Sequence, residues 1–151
     1  MRRLLAATAL LTLATALPCY AQFDGYWRSA SDSTAEITGD IGFSKSKVSI
    51  NFNTYPLAQI RDLKPAEISA VFDADLNAGG VGTLFRLNIP ATHRFLHKNT
   101  LCGTEDTQWM AAYAEGKVLR VAFFSGSDVP VFTFDAIQNS TAHCATFIYV
   151  R

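Results

Sequence analysis

Few residues in this chain have the type and spacing to do chemistry. His93 and His97 stand four apart, a spacing that shares one face of a helix or a strand, but zinc needs a third ligand. The remaining histidine, His143, adjoins Cys144. The pattern therefore reads as a surface histidine pair, with no metal expected. Asp73 and Asp75 are spaced like paired carboxylates for acid–base work. With Glu67 and Ser69 beside them they read as a solvated outer face. Ser125-Gly126-Ser127-Asp128 holds nucleophile-type residues in a stretch that glycine and aspartate already mark as a turn. There is no Gly-x-Ser-x-Gly elbow, and Gly79-Gly80-Val81-Gly82 does not open a helix as a phosphate loop would. No catalytic residue and no cofactor are expected.

The cysteines say more. Cys102 and Cys144 form an even pair in a chain marked for export, the pattern of one disulfide. Closing a loop of about 40 residues contributes roughly 3–4 kcal/mol in the chain-entropy account. The marks of export lie at the N-terminus. Met1-Arg2-Arg3 precedes Leu4 to Leu17, an uncharged run of about 14 residues. That is short of the roughly 20 needed to span a bilayer. Pro18 breaks the run and Cys19-Tyr20-Ala21 supplies small residues before the Ala21/Gln22 bond, so residues 1–21 read as a signal peptide. Ala16 and Pro18 depart from the residues that precede a lipidated cysteine, so Cys19 is expected to leave with the signal. A periplasmic or secreted chain, with no transmembrane segment, begins near Gln22.

The remaining residues, 22–151, suit one domain with a real core. They carry 11 basic and 13 acidic residues, a net charge of −2, without a basic stripe. Nucleic acid is excluded as a partner on that ground.

The elements that must position any site read as strands. Leu119, Val121 and Phe123 alternate with Val118, Arg120 and Ala122, and Phe147 and Tyr149 alternate with Thr146 and Ile148. The same period of two is read over Ile68, Ala70, Phe72 and Ala74, and over Phe132, Phe134 and Ala136. Turn residues punctuate these runs, with Glu115-Gly116 joining a hairpin. No helix is expected. The fold class is all-β: an antiparallel barrel of about eight strands, with a β-sandwich as the alternative. Strands apolar on both faces, such as Val118–Phe124, call for a covered outside or a dimer.

Gly25-Tyr26-Trp27, leading into the first strand, resembles the N-terminal signature of lipocalins and the wider calycin barrels. The resemblance covers those three residues, and no Thr-Asp-Tyr signature accompanies it. It implies a barrel whose closed end is plugged by Trp27 under a basic side chain, Arg151 or Arg120, with the opposite mouth open to a ligand. The Ser125–Asp128 stretch is similar to the Ser-Gly-x-x-Tyr loop of small periplasmic barrels that inhibit lysozyme, but lacks the tyrosine.

Two functions follow as expectations, both non-enzymatic. The first is a carrier of a small apolar ligand, its mouth lined by Phe72, Trp109 and Phe123. The alternative is a protein-interaction or inhibitor module with a filled barrel, using an exposed loop at Ser125, Gly126, Ser127 and Asp128. The load of 11 Phe, 5 Tyr and 2 Trp serves either a cavity wall or a solid core.

Overall fold

The computed structural model describes residues 22–151; the signal peptide read over residues 1–21, Cys19 included, lies outside them. Nine antiparallel strands form one sheet: β1 (Gly25–Ser29), β2 (Ile41–Ser44), β3 (Lys47–Ile50), β4 (Asn53–Pro56), β5 (Ala58–Asp62), β6 (Val81–Ile89), β7 (Thr107–Glu115), β8 (Val118–Ser125) and β9 (His143–Val150). Their spatial order is β4-β3-β2-β1-β9-β8-β7-β6-β5. The two outermost strands, β4 and β5, are consecutive in the chain and separated by Leu57 alone. The chain thus carries one edge of the sheet round to the other, and β4 comes against β6. The result is the expected all-β fold, a nearly closed antiparallel barrel.

Period-two alternation sorts the side chains cleanly. Along β7, Met110, Ala112 and Ala114 enter the barrel, while Trp109, Ala111 and Tyr113 face outward into a second apolar layer. Along β8, Leu119, Val121 and Phe123 point in and Ala122 and Phe124 point out. Strands apolar on both faces are therefore explained by an outer cover within one chain.

That cover corrects the strand assignments at 68–74 and 132–136. Residues Pro65–Phe72 form a helix, α2, and Phe134–Gln138 a short helix, α3; a further helix, α1, spans Asp32–Ile37. In α2, Ile68, Val71 and Phe72 are the buried positions, spaced three and four apart as a helix requires. Ala70 falls away from that stripe, so the period of two over 68–74 is a coincidence of where the polar residues fall. Pro65 opens the helix, where its missing N–H is no loss. The Glu67 carboxylate accepts from the Lys64 backbone N–H at 2.8 Å and takes both Arg61 guanidinium nitrogens at 2.7 and 2.8 Å. Those Arg61 bonds, foremost, hold the Glu67 carboxyl below its usual range.

Helix α2 lies so close to β6 that only glycine fits beneath it. A Cβ on Gly82 would meet Ile68 at 2.7 Å. Gly80 is tighter still: at φ +106° its missing Cβ would collide with the Ala114 carbonyl oxygen and the Tyr113 ring. Gly80→Ala is expected to lower unfolding stability by at least about 2 kcal/mol, combining backbone strain with that collision. Gly103→Ala, at φ +65° with nothing within 4 Å, should lose strain alone, about 1 kcal/mol. Urea unfolding midpoints of the two variants check the difference; equal losses would refute it.

Candidate functional site

Strand β9 links two differently closed ends. Beyond its last residue, the Arg151 guanidinium carbon sits 4.1 Å from the centroid of the Trp27 ring. The indole is wholly buried, and its Nε1–H donates to the Phe23 carbonyl at 2.8 Å. Arg151 spends its own donors on the carbonyls of Asp24 and Gln22, at 3.0 and 3.3 Å. Arg120 takes no part: it points outward, with Nη1 3.4 Å from the Phe72 carbonyl. Near the other end of β9, Cys144 is joined to Cys102 in the expected disulfide. The segment before Cys102 inserts Phe95 and Leu101 into the interior cluster. His93 packs edge-on to Tyr55 there.

The interior is filled. Trp27, Tyr149, Phe23, Phe85, Phe123 and Met110 are all sealed from solvent inside it. Phe123, read as a mouth residue, stacks edge-on with Phe147 in this core. Phe72 and Trp109 are in the outer layer instead, Phe72 stacked on Tyr113 under α2. Trp109 donates to the Gly126 carbonyl at 3.1 Å and carries the Arg86 guanidinium on its outer face at 4.5 Å. Phe72 and Trp109 thus share a cluster, and Phe123 belongs to another on the far side of the sheet.

The remaining sequence candidates are dispersed. Ser125 is buried at the end of β8, its N–H bonded to the Ala142 carbonyl, while Ser127 and Asp128 are exposed beyond the Gly126 turn. Asp73 caps α2 in a left-handed conformation and Asp75 accepts from the Asn77 N–H, so both carboxylates belong to loop structure. Among the described residues, no three of His, Cys, Asp and Glu gather as a metal site.

What sequence reasoning missed lies on the outer face of β1–β4. Tyr26 stands directly opposite Gly42, and its ring lies across that glycine: a Cβ there would touch it at 3.1 Å. The ring is still 82% exposed. At the β3–β4 hairpin, Ile50 pairs with Asn53, leaving a two-residue turn of Asn51 and Phe52 at φ +47° and +65°. Such a turn favours Asn-Gly. Phenylalanine here adds about 1–2 kcal/mol of left-handed strain, and its side chain is fully exposed. Two adjoining cavities of about 300 and 320 Å³ run over this face and share Tyr26, Gly42 and Ser49. The signal was available: Ile50-Asn51-Phe52-Asn53 has a turn asparagine where a turn glycine should follow.

The closed end yields one expectation. Trp27→Ala should cost about 3–5 kcal/mol, as truncation of a packed core aromatic does. Arg151→Ala, removing an exposed cation–π partner, should cost about 1 kcal/mol. Urea melts of the two variants check the ranking. A second concerns Tyr55, whose buried hydroxyl has no partner and whose burial pushes its pKa up to about 12. The folded state thus favours the neutral phenol. That contribution is complete below pH 10 and is lost as pH rises towards 12. Tyr55→Phe should raise stability at neutral pH by about 1 kcal/mol, because it removes an orphaned buried hydroxyl. It should also soften the decline between pH 10 and 12; an unchanged pH profile would refute it.

Compared with family models, with curated proteins and with solved structures, the chain finds no match.

Proposed function

We propose that this is an exported, non-enzymatic binding protein that engages its partner from the outer surface of a filled barrel. The observation that carries the reading is the interior itself. Trp27 and Phe23 occupy it along with Phe85, Met110, Phe123 and Tyr149, so the aromatic load serves as core rather than as cavity wall. The loop bearing Phe95 and Leu101, pinned by Cys102–Cys144, occupies the region where the calycin resemblance implies an open mouth.

Export is supported by the disulfide, a bond of oxidising compartments. Among the described residues no helix is long and apolar enough to cross a membrane. Kinship of architecture with the calycins is supported by the antiparallel barrel and by Arg151 stacked on Trp27. Carriage of an apolar ligand is a separate property, and it needs a chamber. Surface engagement is supported by two regions that hold large apolar side chains in solvent: Tyr26 with Phe52, and the segment bearing Val129, Val131 and Phe134. The second continues the Ser125–Asp128 stretch, which remains part of the proposed interaction surface.

Titration with palmitate and with a fluorescent apolar dye distinguishes the two uses of a barrel. No saturable uptake and no rise in melting temperature are expected. A ligand held in a chamber at a hundred times its Kd would add about 2.7 kcal/mol of stability. Stoichiometric uptake of palmitate with quenching of Trp27 emission would overturn the surface reading.

A further inference from the structure

We propose that the outer face of β1–β4 is a glycan-binding site that takes a chain of neutral sugar residues; the inference rests on the surface reading above and names its ligand class. Tyr26 and Phe52 present flat rings to solvent at two places along one trough, formed by the adjoining cavities of about 300 and 320 Å³. Each cavity reaches the lower end of the size range of small-ligand sites, about 300 Å³. A pyranose ring offers a face of C–H groups that packs against such aromatics. Its hydroxyls need donors and acceptors at the rim.

The trough supplies both. Tyr26 lies over Gly42, and beside it Ser49 contributes a short hydroxyl to the lining of both cavities, so a sugar ring can stack on Tyr26 with a hydroxyl partner within the trough. The Ser49 and Thr54 hydroxyls lie 2.9 Å apart on the surface. Asp40, exposed on the rim, uses one carboxylate oxygen to accept from the Ser29 N–H at 2.9 Å, which fixes its orientation. The planar amide of Asn51 stands next to Phe52 on the same rim. Planar carboxylate and amide groups suit adjacent hydroxyls, which they can engage in pairs.

Charge selects among occupants. The charged groups lining the trough are Asp40 and Lys47, one of each sign. An anionic lipid surface or a nucleic acid finds no complementary field there. A lipid tail or an apolar helix would meet the Ser49 and Thr54 hydroxyls. A neutral polyhydroxyl chain matches both the rings and the balanced charge. The turn residue supports a ligand role independently of these contacts. Phe52 holds a strained conformation that glycine would relieve, and its ring packs on nothing in the fold.

The test uses the full chain in native gels cast with glycol chitin, hydroxyethyl cellulose or soluble starch. Retardation by at least one polymer is expected, with at least a tenfold loss of affinity in both Tyr26→Ala and Phe52→Gly. A purely structural Phe52 would make Phe52→Gly melt lower; here it should melt higher, because Asn-Gly suits the turn. Free migration of the wild type through all three polymers would overturn the proposal, as would retardation that both variants retain. Sedimentation with phosphatidylcholine vesicles that Phe52→Gly abolishes would assign the ring to membranes and likewise overturn it. Glycan failure alone leaves the surface reading intact, whereas palmitate uptake into the interior removes that reading.

Discussion

Closure of the sheet at Leu57 is the constraint on which the rest of the structure depends. A sheet with β4 and β5 as free edges would expose two rows of unpaired backbone groups. Here the chain leaves one edge and enters the other across a single residue, buried, whose N–H donates to the Ser46 carbonyl at 2.7 Å. A curled sheet this short has a narrow interior, and large side chains fill it. The aromatic richness of the chain follows from that geometry. The sealing of the ends follows too, since a solid core must also exclude water at its ends. Arg151 over Trp27 seals one end. At the other, a loop tied by Cys102–Cys144 inserts Phe95 and Leu101.

The barrel's outside is divided. Over β6, β7 and β8 the outward residues include Leu84, Trp109, Tyr113 and Phe124, and α2 with Phe132 buries them. This second layer requires its own accommodations, Gly82 beneath α2, Gly80 against the Ala114 carbonyl of β7, and the Arg61–Glu67 fork that fixes the first turn of α2. Arg86 shows the cost of crowding there: stacked on Trp109 and bonded to Gln108, it keeps one buried nitrogen without a partner.

Much of this was legible in the chain, for identifiable reasons. β8 and β9 were readable because alternation repeats along each, and β7 because Glu115-Gly116 marks the turn of the hairpin it forms with β8. The cysteine pairing was readable because two cysteines in residues 22–151 admit one bond. α2 was not, because Ile68, Ala70, Phe72 and Ala74 happen to alternate with polar residues, with Val71 the one break in that pattern. Pro65 followed by Glu67 was the better guide, a helix start written before the periodicity became ambiguous. Closure at Leu57 was invisible, since nothing local distinguishes a residue that turns a barrel corner from one that continues a strand. The separation of Phe72 and Trp109 from Phe123 was hidden for a related reason. Each is an aromatic in an apolar run, and the inner and outer layers draw on the same residue types.

The division of the outside also bears on where function can reside. Over β6 to β8 the outward apolar residues Leu84, Trp109, Tyr113 and Phe124 are buried within the chain, and substitutions at those positions act first on stability. The half built from β1 to β4 has no such cover, yet it carries Tyr26 and a strained, fully exposed Phe52. Stability alone favours burying or replacing such residues. Tyr26 has a fold-level use, shielding the backbone at Gly42. Phe52 has none, since glycine would serve the turn better and no neighbour packs on its ring. A residue that opposes the fold at its own position, on a face the fold leaves open, is where an outside partner would account for what the fold does not.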